Sequence, residues 1–330
     1  MTTALGRMID SQAAAVETIA GLDLAKQASL LRNARRVWLI GTGTSQHAAE
    51  LGADLLQRAG LDARWEPAVQ FAHRAAALEA GDVAVIFSHT AQTAYARRAR
   101  AAVLDSPAGL ITVTGRDRGW PEAIETPTYE ESETYTASYT AALAVLAVLG
   151  HTLGLPALSP AELRTTAGRI RAAAANPGID HVGVPARAMA ILGAGPWSVT
   201  AREGALKIRE AARILCEGFD PERLLHGAAV PYTSADTLLV LQPAADPDEL
   251  TQGLADAARQ DGLTVIVLED PEPPASSFLA QLPMTVRLQS LAERFARWRA
   301  HDPDIAITGT WAEERLWRLG APATTGDTTD

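Results

Sequence analysis

A parallel α/β fold, laid down twice along one chain, is what the sequence predicts, and three observations carry it. Short continuous apolar runs alternate with stretches of helical apolar spacing, the pattern of a parallel sheet covered on both faces. The leading run of each half ends in a glycine turn that opens a helix. The pattern then recurs at a nearly constant offset. Ala190-Ile191-Leu192-Gly193-Ala194-Gly195 repeats Leu39-Ile40-Gly41-Thr42-Gly43, with Gly193 falling 152 residues after Gly41. Gly262-Leu263 repeats Gly109-Leu110 at an offset of 153 residues.

The elements follow in order. Leu5, Met8, Ile9, Val16, Ile19, Leu22 and Leu30 have helical spacing and predict one or two helices over 5–32. Val37-Trp38-Leu39-Ile40 predicts a strand, Gly41-Thr42-Gly43-Thr44-Ser45 its turn, and about Gln46 to Ala59 a helix. Val83 to Phe87 predicts a second strand, followed by Ser88-His89-Thr90-Ala91-Gln92-Thr93 and another helix; Leu110 to Thr114 predicts a third. Helix fills about 136–153, and Pro156 with Ser159-Pro160 ends this half. In the second copy Leu238 to Gln242 stands where Val83 to Phe87 stood. The expected division is a helical segment over 1–33, a first unit over 34–155, a helical connector over 156–185, a second unit over 186–290, and a C-terminal helix and tail over 291–330. The Gly/Thr/Asp-rich end from Ala321 to Asp330 has the composition of disorder.

Composition bounds the function. The 330 residues suit about two domains of roughly 150 each, and 47% hydrophobic with 21% charged residues is ordinary for a globular protein. The single cysteine, Cys216, excludes an internal disulfide framework and any CxxC motif. No apolar run reaches the ~20 residues of a membrane span, and Arg7, Asp10 and Glu17 interrupt the N-terminus as no signal peptide would. A cytoplasmic protein is expected, with no membrane association. A net charge of −10 and a pI of about 5.2 argue against a nucleic-acid partner. They leave open an anionic small ligand held by N–H groups and hydroxyls. Lys26 and Lys207 are the only lysines among 29 basic residues, so a lysine here calls for a reason.

In the first half two strand-end turns are rich in hydroxyls and lead into helices, at the end of a parallel sheet where ligands sit. Gly43, Thr44 and Ser45 on one turn and Ser88, Thr90 and Thr93 on the other suit an anion; helix capping is the plainer alternative for either turn alone. A dinucleotide fingerprint would need glycine at Gln46, and a phosphate-binding P-loop would need a lysine. In the second half Glu203, Lys207 and Glu210 fall at i, i+4 and i+7, on one helix face. A solvated ladder is the alternative, but such a ladder in this chain would carry arginine, as Arg202 and Arg209 do beside it. Glu203 is expected to open its helix just after the Gly193-Ala194-Gly195 strand end, so that this face meets the ligand. Lysine can be tuned by burial where arginine cannot.

These motifs resemble a known family. Gly41-Thr42-Gly43-Thr44-Ser45, the Ser88 to Thr93 turn, and Glu133 with Ser138 are similar to the first sugar isomerase (SIS) domain of the glucosamine-6-phosphate synthases. Glu203-Gly204-Ala205-Leu206-Lys207-Ile208-Arg209-Glu210, with His226-Gly227 sixteen residues further on, resembles the second. The likeness covers about residues 5–300. It implies two tandem SIS domains, each a flavodoxin-like or Rossmann-like three-layer sandwich. It implies an enzyme acting on a sugar 6-phosphate or amino-sugar 6-phosphate by C1–C2 proton transfer, with isomerisation, deamination and deglycation all open. Glu210 is then the base, Lys207 its positioning group, and His226 the ring-opening group, reaching in from the partner subunit of a homodimer. Gly43, Thr44, Ser45, Ser88, His89, Thr90, Thr93, Ser138 and Glu203 are then the substrate- and phosphate-binding residues. No cofactor or metal is implied, and His89 has no second ligand at metal spacing. Thr2 follows Met1, and no glutamine-hydrolysing domain precedes the first unit, so glutamine-dependent amination is not expected.

Two departures from the family stand out. The family's Ser-Gln-Ser-Gly-Glu-Thr loop reads Ser88-His89-Thr90-Ala91-Gln92-Thr93 here, so His89 replaces an amide and Ala91 a glycine. Asp302 to Trp311 occupies the place of a tail lysine, with Trp311 about where that lysine would be. Trp298, Trp311 and Trp317 are candidates to wall the site, with core packing as the alternative. A Schiff-base route would have to use Lys207 or Lys26. Two other functions stay open: a non-catalytic sugar-phosphate sensor, and an isomerase of a non-phosphorylated or sulfonated sugar.

Overall fold

A computed structural model describes residues 2–322 apart from 75–76, 243–245, 247, 271–273 and 275. From 323 onward, the expected disordered end lies outside the described residues. The chain opens with helices α1 (Ala4–Ile19) and α2 (Ala25–Arg32). The first half continues β1 (Arg36–Gly41), α3 (Thr44–Arg58), β2 (Ala63–Pro67), α4 (Ala68–Arg74), β3 (Asp82–Phe87), α5 (Ala94–Leu104), β4 (Gly109–Gly115), β5 (Ala123–Thr126) and α6 (Ala137–Thr152). Helix α7 (Pro160–Ala175) follows, then β6 (Ala188–Gly193), α8 (Trp197–Ala212), β7 (Leu215–Phe219), the short turn α9 (Pro221–Arg223), β8 (Thr237–Gln242), α10 (Leu250–Gln260), β9 (Thr264–Glu269), α11 (Ser277–Trp298) and α12 (Glu314–Arg318).

The strands form two all-parallel sheets, ordered β2-β1-β3-β4-β5 and β7-β6-β8-β9. The second order copies the first four strands of the first. Strand residues alternate between two faces, as the pleat requires. Val37, Leu39, Val83 and Val85 point into one core together with Met189, Ile191, Leu239 and Leu241 of the other sheet. Trp38, Ile40, Ala84 and Ile86 point outward beneath α4 and α5, and Ala190, Leu192, Leu238 and Val240 form the corresponding outer core of the second sheet. The shared inner core also takes residues from α1, α3, α6, α7, α8 and α11. The stretches 1–33 and 156–185, expected as flanking and connecting helices, thus supply packed core elements.

The pairing register corrects one detail of the repeat. Val37 pairs with Val83 and Val83 with Gly109, while Met189 pairs with Thr237 and Thr237 with Thr264. The partner of Gly109 is therefore Thr264, 155 residues on, and not Gly262. The two glycines do different work. A Cβ on Gly109 would press on Leu30 and Val83 at 3.2–3.3 Å, whereas Gly262 holds φ +85 in a turn. Strands β2, β5 and β7 were not expected. Each is an edge strand carrying exposed polar residues such as Arg64, Glu125 and Glu217, and so lacks the apolar run that marks a buried strand. Among the described residues no helix is long and apolar enough to cross a membrane.

Candidate active site

The two strand-end glycine turns are built alike. A Cβ on Gly41 would lie 2.3 Å from the Ser45 backbone, and one on Gly193 would lie 2.4 Å from the Trp197 carbonyl, so only glycine lets each helix start so close to its strand. Gly43 and Gly195 follow with φ +57 and +55. From the first turn α3 carries Thr44 and Ser45 into a cleft at the carboxyl ends of β1, β3 and β4. Ser88, His89, Ser138 and Tyr139 complete its polar wall.

Several polar atoms in that wall are buried without a protein partner among the described residues: the Ser88 hydroxyl, both His89 ring nitrogens and the Tyr139 hydroxyl. Such atoms are costly unless something polar meets them. The His89 ring sits edge-on to Tyr135 at 5.7 Å, in space that Gly115 leaves open; a Cβ there would come within 2.6 Å of the ring. Burial, helped by the Arg118 charge, pushes the His89 pKa down to about 4, so the imidazole is neutral at pH 7. Ala91 holds φ +57, the left-handed conformation the family's glycine would favour. The loop keeps that backbone at a cost of about 1–2 kcal/mol.

The other half of the site is a buried polar line along α8. This helix begins at Trp197, because Gly195 and Pro196 start it there; Glu203 therefore lies nearly two turns in and does not open the helix. Its carboxylate is fully buried and faces α3, where it accepts from the Thr44 hydroxyl at 3.1 and 3.2 Å and meets His47 Nδ1 at 2.7 Å. Lys207, 1% exposed, places Nζ 3.6 Å from Glu203 and donates to Glu210 Oε2 at 2.7 Å. Burial alone would push Glu203 up, but Lys207, His47 and Thr44 bring it below the ordinary carboxylate range. Burial would lower Lys207, yet Glu210, Glu203 and Glu130 hold its pKa above normal, so it is an ammonium. Glu210 stays above the ordinary carboxylate range, because its burial outweighs the lysine.

Two contributors went unread in the sequence. Glu130 Oε1 accepts from the Thr136 and Ser138 N–H groups at 2.9 and 2.7 Å, bracketing the start of α6. Burial raises its pKa, and Oε2 has no partner among the described residues. The acidic run ahead of a helix start was the available signal. His47 lies three residues after Thr44 on one helix face, and that spacing was its signal.

Other expected residues stand elsewhere. Gly43 is exposed with nothing near an added Cβ, so it serves the turn. Thr44 lines the cleft with its hydroxyl engaged by Glu203, whereas Glu203, engaged by Thr44, His47 and Lys207, does not line it. Thr90 accepts from the Gln92 N–H at 3.2 Å within its own turn, and Thr93 is exposed at the start of α5; neither lines the cleft. Glu133 accepts from Ala306 and Ile307 and so ties down the tail. The indoles do not wall the cleft in this chain. Trp311 is 76% exposed, Trp317 donates to its carbonyl, and Trp298 packs on Phe295 beneath Arg294. His226 sits exposed in a turn at φ −81, ψ 43, between Leu225 and Gly227. Among the described residues no three His, Cys, Asp or Glu side chains gather as metal ligands.

Residues 30–151 match the SIS domain. The chain is 28% identical over 267 residues to the isomerizing glutamine–fructose-6-phosphate aminotransferase of Zymomonas mobilis, covering 73% of this chain and 43% of that protein. It is 26% identical over 315 residues to the Pyrococcus horikoshii protein of the same description, covering 84% and 52%. The chain thus spans about half the length of these relatives. Among solved structures, the C-terminal domain of the Francisella tularensis glucosamine-fructose-6-phosphate aminotransferase has a TM-score of 0.79 at 20% identity, over 92% of this chain and 98% of that one. The tagatose-6-phosphate ketose/aldose isomerase of Escherichia coli gives 0.80 at 18%, over 93% and 96%. The glucosamine-6-phosphate deaminase of Thermotoga maritima gives 0.75 at 19%, over 92% and 97%. These structural likenesses establish a shared fold extending over both sheets.

Proposed function

We propose that this chain is a phosphosugar isomerase-type enzyme built from two SIS units, moving a proton between C1 and C2 of a sugar 6-phosphate or amino-sugar 6-phosphate. The observation that carries the reading is the Glu203–Lys207–Glu210 line on α8, its first two members fully buried and Glu210 partly so, joined through Thr44 to a cleft walled by unpartnered polar atoms. A solvated ladder would leave these groups in water, and a sensor needs only the donors. The fold is shared by an aldose–ketose isomerase and a deaminase, whose descriptions both name a sugar 6-phosphate.

Each residue has a task in this reading. The N–H groups at the start of α3, with Ser45, Ser88, His89 and Ser138, hold the phosphate. Glu210 removes the proton from C2 and returns it to C1 through an enediol, or an enolamine where the sugar carries nitrogen. Lys207 keeps that carboxylate placed and accessible to ionisation. His226, exposed beside the apolar Leu225 and Val230, opens the ring from a partner subunit across a homodimer interface.

The test is deuterium wash-in from D2O, followed by NMR, with 6-phosphates, amino-sugar 6-phosphates, their unphosphorylated forms and sulfonated analogues. Exchange at C1 or C2 of a 6-phosphate is expected, and Glu210→Gln slows it by about 10²–10⁴-fold while leaving binding intact. Glu210 works only when ionised, and its pKa is raised. Exchange is therefore lost as the pH falls through a midpoint above the ordinary value of about 4.3. Binding without exchange in the native chain identifies a sensor, and exchange only on unphosphorylated or sulfonated sugars removes the phosphate assignment.

A further inference from the structure

Two carboxylates on α8 compete for one ammonium. Lys207 Nζ donates to Glu210 at 2.7 Å and stays 3.6 Å from Glu203, beyond hydrogen-bond reach, although Glu203 is the more deeply buried of the two. A buried carboxylate with no other donors would draw the nearest cation to itself. Glu203 does not, because α3 supplies other donors: the Thr44 hydroxyl to both oxygens, and His47 to Oε2 at 2.7 Å. An ionised carboxylate only accepts, so His47 Nδ1 must carry the proton of that bond.

We propose that His47 is a positioning residue: by holding Glu203 it leaves the Lys207 ammonium to Glu210. Helix α3 of the first half thereby sets the electrostatics of the base on α8 of the second. Ser45, on the same helix end, lines the cleft, so the element that meets the ligand also controls the base. The kinetic consequence rests on reading Glu210 as the base; the geometric claim does not.

The two-lysine composition makes the claim measurable without turnover. Protein carrying [13C,15N]lysine gives side-chain ammonium signals from Lys26, which is exposed, and Lys207 alone. In His47→Leu the Lys207 Nζ signal, detected through its CεH2 protons, is expected to move while Lys26 stays put. His47→Asn, whose amide N–H can replace the Nδ1 donor, returns most of the change. Thr44→Val, which removes the weaker donor and is the fallback if His47→Leu folds poorly, moves the signal in the same direction by less. An unmoved Lys207 signal in His47→Leu overturns the proposal, as does a His47→Asn spectrum displaced as far as that of His47→Leu. In the kinetic arm kcat falls by up to about 10²-fold with KM little changed, and His47→Asn recovers most of it. A native chain that exchanges no sugar proton removes the functional reading, and the lysine spectrum still decides the positioning role.

Discussion

The two halves of the molecule share a frame down to single residues and differ in what they hang on it. At an offset of 152, Gly41, Gly43 and Gly52 answer to Gly193, Gly195 and Gly204, and each pair does the same job. Arg35 grips the buried Asp82 at the base of one sheet as Arg187 grips the buried Asp236 in the other. Glu50 and Arg202 are also equivalents, and they pair with each other at 2.6 Å, as two residues beside a pseudo-two-fold axis would. The differences lie at the helix starts and along the facing turns. Ser45 opens onto the cleft where its counterpart Trp197 is buried and fills the space. Leu51 and Leu55, both buried, occupy on α3 the places that Glu203 and Lys207 occupy on α8. Under the reading proposed above, one copy kept its strand-end cavity for the ligand, while the other closed that cavity and put charge on its helix instead.

The hardest test of this division makes the second half resemble the first. Lys207→Leu copies Leu55 but removes the cation that donates to Glu210 and lies 3.6 Å from the fully buried Glu203, and should cost about 3–5 kcal/mol in urea unfolding. Adding Glu203→Leu, to copy Leu51 as well, should recover part of that loss, since the fully buried carboxylate goes with its cation while Glu210 and His47 still lack their partners. Turnover stays absent in both variants. A double variant no more stable than the single one would show that the two helices are not interchangeable in packing, and the comparison would hold for the backbone only.

The converse graft is somewhat smaller in effect. Ser45→Trp puts the second half's plug into the first half's cleft. Ligand at 100 times its Kd stabilises the native chain by about 2.7 kcal/mol, and that increment should vanish in the variant as the thermal shift is lost. A retained shift would place the ligand away from Ser45.

How far the sequence reached follows from the same comparison. The central strands and the glycine turns were legible because burial on both faces demands continuous apolar runs, and the turns demand glycine at fixed spacing. Edge strands such as β2, where Arg64 and Glu66 sit in a strand of mixed polarity, give no such run. Ser45 and Ser88 could be placed together as strand-end turns of one sheet, with Ser138 added by the family resemblance, and the Glu203, Lys207 and Glu210 face by its spacing on one helix. For His47 and Glu130 the local signals, a helix-face spacing and an acidic run before a helix start, did not name the partner. His47 meets a residue 156 positions away, and that contact exists only once α3 packs on α8. Glu130 acts through a loop that folds back on the start of its own helix. Glu203 was legible as a chemical group but misplaced on its helix, since Pro196 and Trp197 start α8 earlier than the motif suggested.

The smallest effect concerns Ala91, where the cleft loop keeps a glycine-like backbone without glycine. Ala91→Gly would relieve a left-handed residue, worth about 1–2 kcal/mol. Against that, glycine adds unfolded-chain entropy worth about 0.4–1 kcal/mol, and the lost methyl, buried at 2% exposure, forfeits about 0.8 kcal/mol. The terms nearly cancel, so stability should change by less than about 1 kcal/mol, which accounts for alanine being tolerated there. The informative readout is KM. If the backbone path is already that of the glycine loop, KM for the phosphosugar stays within about 2-fold, an energy difference below about 0.5 kcal/mol. A tenfold fall would mean that the methyl holds the loop away from the anion, and the first half's cleft would then be only partly formed for its ligand.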